Sequence, residues 1–162
     1  MERKTVFISE EQAAYQRVCL EKASKLLKDR VKSDAPTAWV DTYGCQQNEA
    51  DSEKIRGMLK AMGCSFVPES EQADVIVINT CAIREHAEQR ILGNIGSLVH
   101  GKNARKHQII AVCGCMVQQE HRADQIKNSF RHVDLVFGTH ALWRFPELLE
   151  KKMKLVINMQ LY

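Results

Sequence analysis

The chain has 162 residues, 44% of them apolar, which is enough to fill the core of one ordinary domain. Its 23 basic and 20 acidic side chains leave a formal net charge of +3, too small to mark a nucleic-acid binder. No run approaches the roughly 20 apolar residues of a membrane-spanning helix, and the opening MERKTVFISEEQ lacks a secretory apolar stretch, so a cytoplasmic location without membrane contact is expected.

Residues 1–35 read as an N-terminal helical extension. Ser9 and Gln12 have the spacing of a capping box, and Ala14, Val18, Ala23, Leu26 and Leu27 form a modest apolar face ahead of the charged run KDRVKSD. SDAPT then acts as a linker, because Pro36 and its polar neighbours break the helical pattern.

From Ala38 a unit recurs: a short apolar or β-branched run, a turn, then an amphipathic helix. The first is AWVDTYGC, followed by a helix from about Asn48 to Met62 with Ile55, Met58, Leu59 and Met62 on its buried face and Gly63 as its stop. CSFV reads as a short edge strand whose pairing is open, since PESEQA is too short for a helical crossover. DVIVINTC is an apolar run suited to burial on both faces, with a helix from about Arg84 to His100 carrying Ala87, Ile91, Ile95, Leu98 and Val99 inward and stopping at Gly101. QIIAVCGC comes next, with a polar helix near Gln118 to Phe130 striped by Ala123, Ile126 and Phe130. VDLVFG is the last, followed by Thr139 as a cap and Pro146 in the first turn of a new helix. The expected fold is α/β: a doubly wound, mainly parallel sheet of four or five strands in a flavodoxin-like arrangement over residues 36–150, with residues 151–162 as a tail.

Of six cysteines, three share one structural address. Cys45, Cys81 and Cys115 each follow a strand and precede a helix, and in a parallel sheet all such turns lie at the carboxyl edge where ligands of doubly wound folds bind. Helix amino-termini there favour thiolates, the form that iron and zinc require. Three thiolates without a fourth suit a 4Fe-4S cluster with one iron open to an exogenous ligand. Zinc competes, although the only near pair is Cys113-x-Cys115, and inert buried thiols are the bland reading. Cys113 points to the same face as Cys115 and is either an accessory ligand or, the favoured choice, core; Cys19 and Cys64 read as structural. His86 could approach the cysteine edge; the remaining histidines have no ligand spacing, and RKHQ, Lys151 and Lys152 read as solvated charge.

Three motifs, TYGCQQNEADSE, ADVIVINTCAIREHAEQR and AVCGCMVQQE, resemble the methylthiotransferase family in its tRNA-modifying, MiaB-type branch, and with VDLVFGTHALWRFPELL the resemblance covers roughly residues 38–150. Gln46-Gln47 and Ala82-Ile83-Arg84 favour that branch over the one acting on a ribosomal protein, which is similar but carries a Pro-Lys pair and a Gly-Phe at those places. The resemblance implies that Cys45, Cys81 and Cys115 hold an auxiliary 4Fe-4S cluster used in sulfur insertion. It further implies a radical S-adenosylmethionine domain with a second 4Fe-4S cluster on a CxxxCxxC motif, an RNA-binding TRAM domain, and tRNA as the partner of a monomeric enzyme that methylthiolates C2 of N6-isopentenyladenosine beside the anticodon. This sequence has no CxxxCxxC, so the chain alone is expected to hold one cluster and to be catalytically incomplete. The alternatives are a non-catalytic electron-transfer or cluster-carrier domain and a flavodoxin-like binding module with incidental cysteines.

Overall fold

Ser9 Oγ accepts from the Gln12 backbone N–H while the Gln12 side chain accepts from the Ser9 N–H, satisfying donors that the first helical turn leaves open. In the computed structural model, which describes residues 5–82 and 85–160 without the side chains of 85, 86 and 158–160, the helix so capped is α1, Glu10–Val31. Its buried residues are Gln16, Cys19, Ala23 and Leu27, whereas Ala14 and Val18 of the expected apolar face are exposed. The helix is rotated by its partner. The last helix, α6 (Phe145–Gln160), lies along α1, and Gln16 Nε2 donates to Glu147 across the pair at 3.2 Å, which draws a polar residue inward.

Five strands, β1 (Thr37–Thr42), β2 (Ser65–Phe66), β3 (Val75–Thr80), β4 (Ile109–Gly114) and β5 (Leu135–Phe137), form one sheet in the order β2-β1-β3-β4-β5. Every pairing is parallel. This is the expected doubly wound α/β architecture, and it settles the pairing of CSFV: Ser65 and Phe66 lie beside Thr37 and Ala38 at the sheet edge. The crossover from β1 to β2 is α2 (Gln46–Ala61), and PESEQA carries only a 3-10 turn at Ser70–Gln72.

β3 and β4 are buried at every position, and their alternation splits the core in two. Val75, Val77, Ala111 and Cys113 pack with α1, α2 and α6 on one face. Ile76, Ile78, Ile110 and Val112 pack on the other with Ile91 and Ile95 of α3 (Glu85–Ser97) and Ile126 of α5 (Glu120–Ser129).

Two helix ends depart from the sequence reading. The single helix expected as far as His100 breaks at Leu98, and Gly101 is inside a further helix, α4 (Val99–Ala104), rather than at a stop. Ser97 Oγ donates to the Asn94 carbonyl at 2.7 Å, and the Leu98 N–H turns to Ile95 three residues back, a competition that bends a helix. Thr139 is not the cap of the segment after β5: Gly138 holds that place, and the Thr139 N–H and hydroxyl both donate to Gln118 Oε1. A 3-10 helix, Thr139–Arg144, intervenes before α6, whose first turn does contain Pro146.

The run RKHQ is largely folded in rather than solvated. Arg105 and His107 both meet Asp74 at the amino-terminal edge of the sheet, at 2.9 and 2.8 Å, and the buried Gln108 side chain donates to the Ala73 carbonyl; Lys106 alone of the four is exposed.

Candidate functional site

Because β1, β3 and β4 are neighbours, the residues that follow them share one rim, at the point where the strand order reverses. Cys45 is the residue before α2, Cys81 directly follows β3, and Cys115 directly follows β4 ahead of a 3-10 helix at Met116–Gln118. Cys45 is exposed, Cys115 half-buried and Cys81 buried.

The three turns press on one another through glycine. Gly44 has φ 116°, and a Cβ there would stand 2.7 Å from Cys81 Sγ. Gly114 has φ 102°, and its Cβ would stand 2.3 Å from the Thr80 carbonyl oxygen. Each Gly-Cys pair therefore meets two needs at once, a left-handed backbone and close approach to the turn of Cys81.

A buried polar network ties the same turns together. Asn48 Nδ2 donates to the Thr80 carbonyl at 2.7 Å, and the Cys45 thiol donates to Asn48 Oδ1 at 3.3 Å. Asn79 Nδ2 donates to the Asn48 carbonyl at 2.8 Å and to Ser52 Oγ at 3.0 Å, and Ser52 Oγ shares a hydrogen with Thr42 Oγ1. The Thr80 hydroxyl donates to the Cys113 carbonyl at 2.6 Å, and the Cys115 N–H donates to the Thr80 carbonyl at 3.2 Å. Sequence reasoning passed over Asn48, Asn79 and Thr80. The signal was present in VIVINT, where two hydrogen-bonding side chains end a strand buried on both faces and so require partners.

Beside the rim lies a recess of about 570 Å³ whose walls include Tyr43, Gly44, Cys45, Cys81 and Arg90. The Arg90 guanidinium sits 5.8 Å over the Tyr43 ring, and the Tyr43 hydroxyl accepts from Asn94. Burial pushes the Tyr43 phenol up from its ordinary value, so it stays protonated. A larger hollow of about 830 Å³, between residues 5–8, α2 and the 3-10 helix after β5, touches none of the cysteines.

Among the described residues, no three His, Cys, Asp or Glu side chains converge closely enough to hold a single metal ion. The turns are adjacent, but the sulfurs do not meet at one point. Residues 83 and 84, which continue the Cys81 turn, and the side chain of His86 lie outside the described residues.

The other cysteines are core. Cys113 is fully buried on the face of α1, α2 and α6, and burial pushes its thiol far up, so it is no thiolate. Burial likewise pushes Cys64 up to about 12 and raises Cys19. His132 meets the Ile95 carbonyl at 2.7 Å, and Lys151 pairs with Glu147 from an exposed position.

Among the described residues no helix is long and apolar enough to cross a membrane. A tRNA-2-methylthio-N(6)-dimethylallyladenosine synthase of Alkaliphilus oremlandii (strain OhILAs) is 54% identical over 115 residues, 71% of this chain and 24% of the relative. The proteins of the same name from Acetivibrio thermocellus and Natranaerobius thermophilus are 41% identical over 154 residues and 53% identical over 113. These cover 94% and 70% of this chain, and 32% and 25% of the relatives. The chain thus spans about a quarter to a third of the length of the curated relatives it matches. The model of the uncharacterized protein family UPF0004 matches residues 37–138, from the first residue of β1 to just past β5, and the chain belongs to that family.

Proposed function

We propose that this chain is the cluster-binding unit of a tRNA methylthiotransferase and that Cys45, Cys81 and Cys115 are the protein ligands of a 4Fe-4S cluster. The observation that carries the reading is three thiols on three abutting turns at the switch point of a parallel sheet. The donor set fits. A cubane offers its irons at separate corners, so its ligands need not converge as they do on a single ion, and three thiols leave one corner without a protein ligand. When bound, the cluster supplies an iron position that an exogenous sulfur donor can occupy.

The chain's own residues prepare the rim. Cys45 stands at the amino-terminus of α2, where free N–H groups and the positive end of the helix dipole favour the thiolate. Gly44 and Gly114 bring the flanking turns against Cys81. Tyr43 and Arg90 wall the recess over Cys45 and Cys81, leaving room for a small ligand.

Residues 36–150 form the unit in this reading, flanked by 1–35 and 151–162. The whole enzyme, a cytoplasmic monomer, adds a methylthio group to C2 of N6-isopentenyladenosine beside the tRNA anticodon. A radical S-adenosylmethionine domain with its own 4Fe-4S cluster supplies the radical chemistry. The names of the relatives support the tRNA substrate.

Anaerobic reconstitution tests the site. About four irons and four sulfides per chain are expected, with iron–sulfur absorbance, and Ala at Cys45, Cys81 or Cys115 should abolish both, while Ala at Cys64 should not. Stable zinc binding without iron–sulfur absorbance would overturn the reading.

A further inference from the structure

The Thr80 carbonyl hydrogen-bonds to groups from both neighbouring turns. It accepts from Asn48 Nδ2, on the helix that Cys45 begins, at 2.7 Å, and from the Cys115 N–H at 3.2 Å, and it belongs to the peptide bond that leads into Cys81. Of the two donors, the Cys115 N–H is backbone and is present in any sequence. The other is supplied by one side chain.

Asn48 is buried to 1% exposure, and its side chain finds its partners at this rim. Its Nδ2 reaches the Thr80 carbonyl and, at 3.4 Å, Asn79 Oδ1; its Oδ1 accepts from the Cys45 thiol; its carbonyl accepts from Asn79 Nδ2. We propose that Asn48 is the positioning residue of the rim, a single buried amide that holds the turns of Cys45, Cys81 and Cys115 side by side through the Thr80 carbonyl before any ligand arrives. The role rests on the cluster site proposed above for its purpose, but the geometry that carries it is a property of the metal-free chain. The contact to the Cys45 sulfur must break on metal binding, because a thiolate has no hydrogen to donate. The bond to Thr80 involves no sulfur and persists. Asn48 therefore acts by pre-organising the turns, and the energy of ordering them is met during folding rather than during cluster uptake.

Ser52 provides the control. It is fully buried in the same network, and its hydroxyl bonds to Asn79 and Thr42 rather than to a turn cysteine or the Thr80 carbonyl among the described residues. Ser52→Ala and Asn48→Ala both remove buried hydrogen bonds and should both lower the thermal midpoint. Asn48→Asp keeps the volume but puts a carboxyl oxygen where the amide donated to Thr80 and Asn79, so it removes the bond without opening a cavity if Ala folds poorly.

Two readouts separate a role at the rim from a role in the core. In the metal-free chain, dibromobimane, which fluoresces only after bridging two thiols, should join Cys45 to Cys81 in the unmodified protein and in Ser52→Ala, as identified by peptide mapping. The yield should fall in Asn48→Ala and Asn48→Asp. In the reconstituted chain, transfer of iron to a chelator should quicken about 10- to 100-fold in both Asn48 variants and stay near the unmodified rate in Ser52→Ala. Equal behaviour of the Asn48 and Ser52 variants in both assays would overturn the proposal, as would failure of the unmodified chain to bridge. If the unmodified chain bridges and the variants do not, but no chain takes up iron, the cluster reading falls and the positioning role stands.

Discussion

Glycine at positions 44 and 114 is fixed by both backbone and neighbour, and the two requirements predict different outcomes for glycines elsewhere. Gly114→Ala would put a Cβ into the Thr80 carbonyl while holding a positive φ, so it should cost more than about 1 kcal/mol in a urea titration. Gly57 lies in α2 with nothing within 4 Å of its would-be Cβ, and Gly57→Ala should instead stabilise by about 0.5–1 kcal/mol. Carboxylates give a second residue-level expectation. The hydrogen bond from Arg144, supported by Lys151 and Gln16, holds Glu147 down at about 2. At Asp74 burial pushes upward but is outweighed by hydrogen bonds from Thr37 and His107 and by the Arg105 charge, so the carboxyl ends below its ordinary value. A depressed carboxylate stabilises the fold above its unfolded value and ceases to do so as pH falls through its folded one. Thermal midpoints should therefore drop from about pH 4.5 toward pH 2, and Glu147→Gln should be destabilised at neutral pH and approach the unmodified chain at the acid end. The shared address of Cys45, Cys81 and Cys115 was legible because it follows from a repeating strand–turn–helix pattern. The two Gly-Cys pairs were equally visible, but their meaning depends on the Cys81 side chain and the Thr80 carbonyl at the neighbouring strand end, which only the folded chain supplies.

At the scale of elements, α1 is the one whose sequence says least about its place. Its apolar residues give a weak stripe, and its buried face is decided by Glu147, 131 residues beyond Gln16. Once paired with α6 it reaches the main core, where Ala23 and Leu27 are fully buried beside Leu149 and Met153. Leu27→Ala should then cost about 2–5 kcal/mol, as a core truncation does, whereas Val18→Ala on the expected face should change little. Chemical denaturation of both variants checks this, and equal effects would mean that α1 does not pack on the core. The sheet was far more legible, since β3 and β4 are apolar runs bounded by turns and read as two-faced strands directly. The break between α3 and α4 was not, because it arises from a serine bonding back to its own helix, a choice that apolar periodicity does not register.

For the whole molecule, the decisive relation is between the core and the rim. Two apolar clusters, one on each face of the sheet, draw on β1, β3, β4 and β5 and on the helices that cover them, and neither includes Cys45, Cys81 or Cys115. The rim is instead held by backbone and amide hydrogen bonds among side chains that are already buried without a ligand. A small zinc domain, by contrast, has too little core to fold without its metal. This chain should therefore fold metal-free. Far-UV circular dichroism should match between metal-free and cluster-loaded protein, and the metal-free form should melt in one cooperative step. Loading should raise the midpoint by mass action, with the increment growing as cluster occupancy becomes more favourable. Cys45→Ala, which removes a ligand and the thiol that donates to Asn48 Oδ1, should abolish the increment and lower the metal-free midpoint only slightly. A metal-free chain that melts without cooperativity would mean that the cluster, and not the two-sided core, organises the sheet.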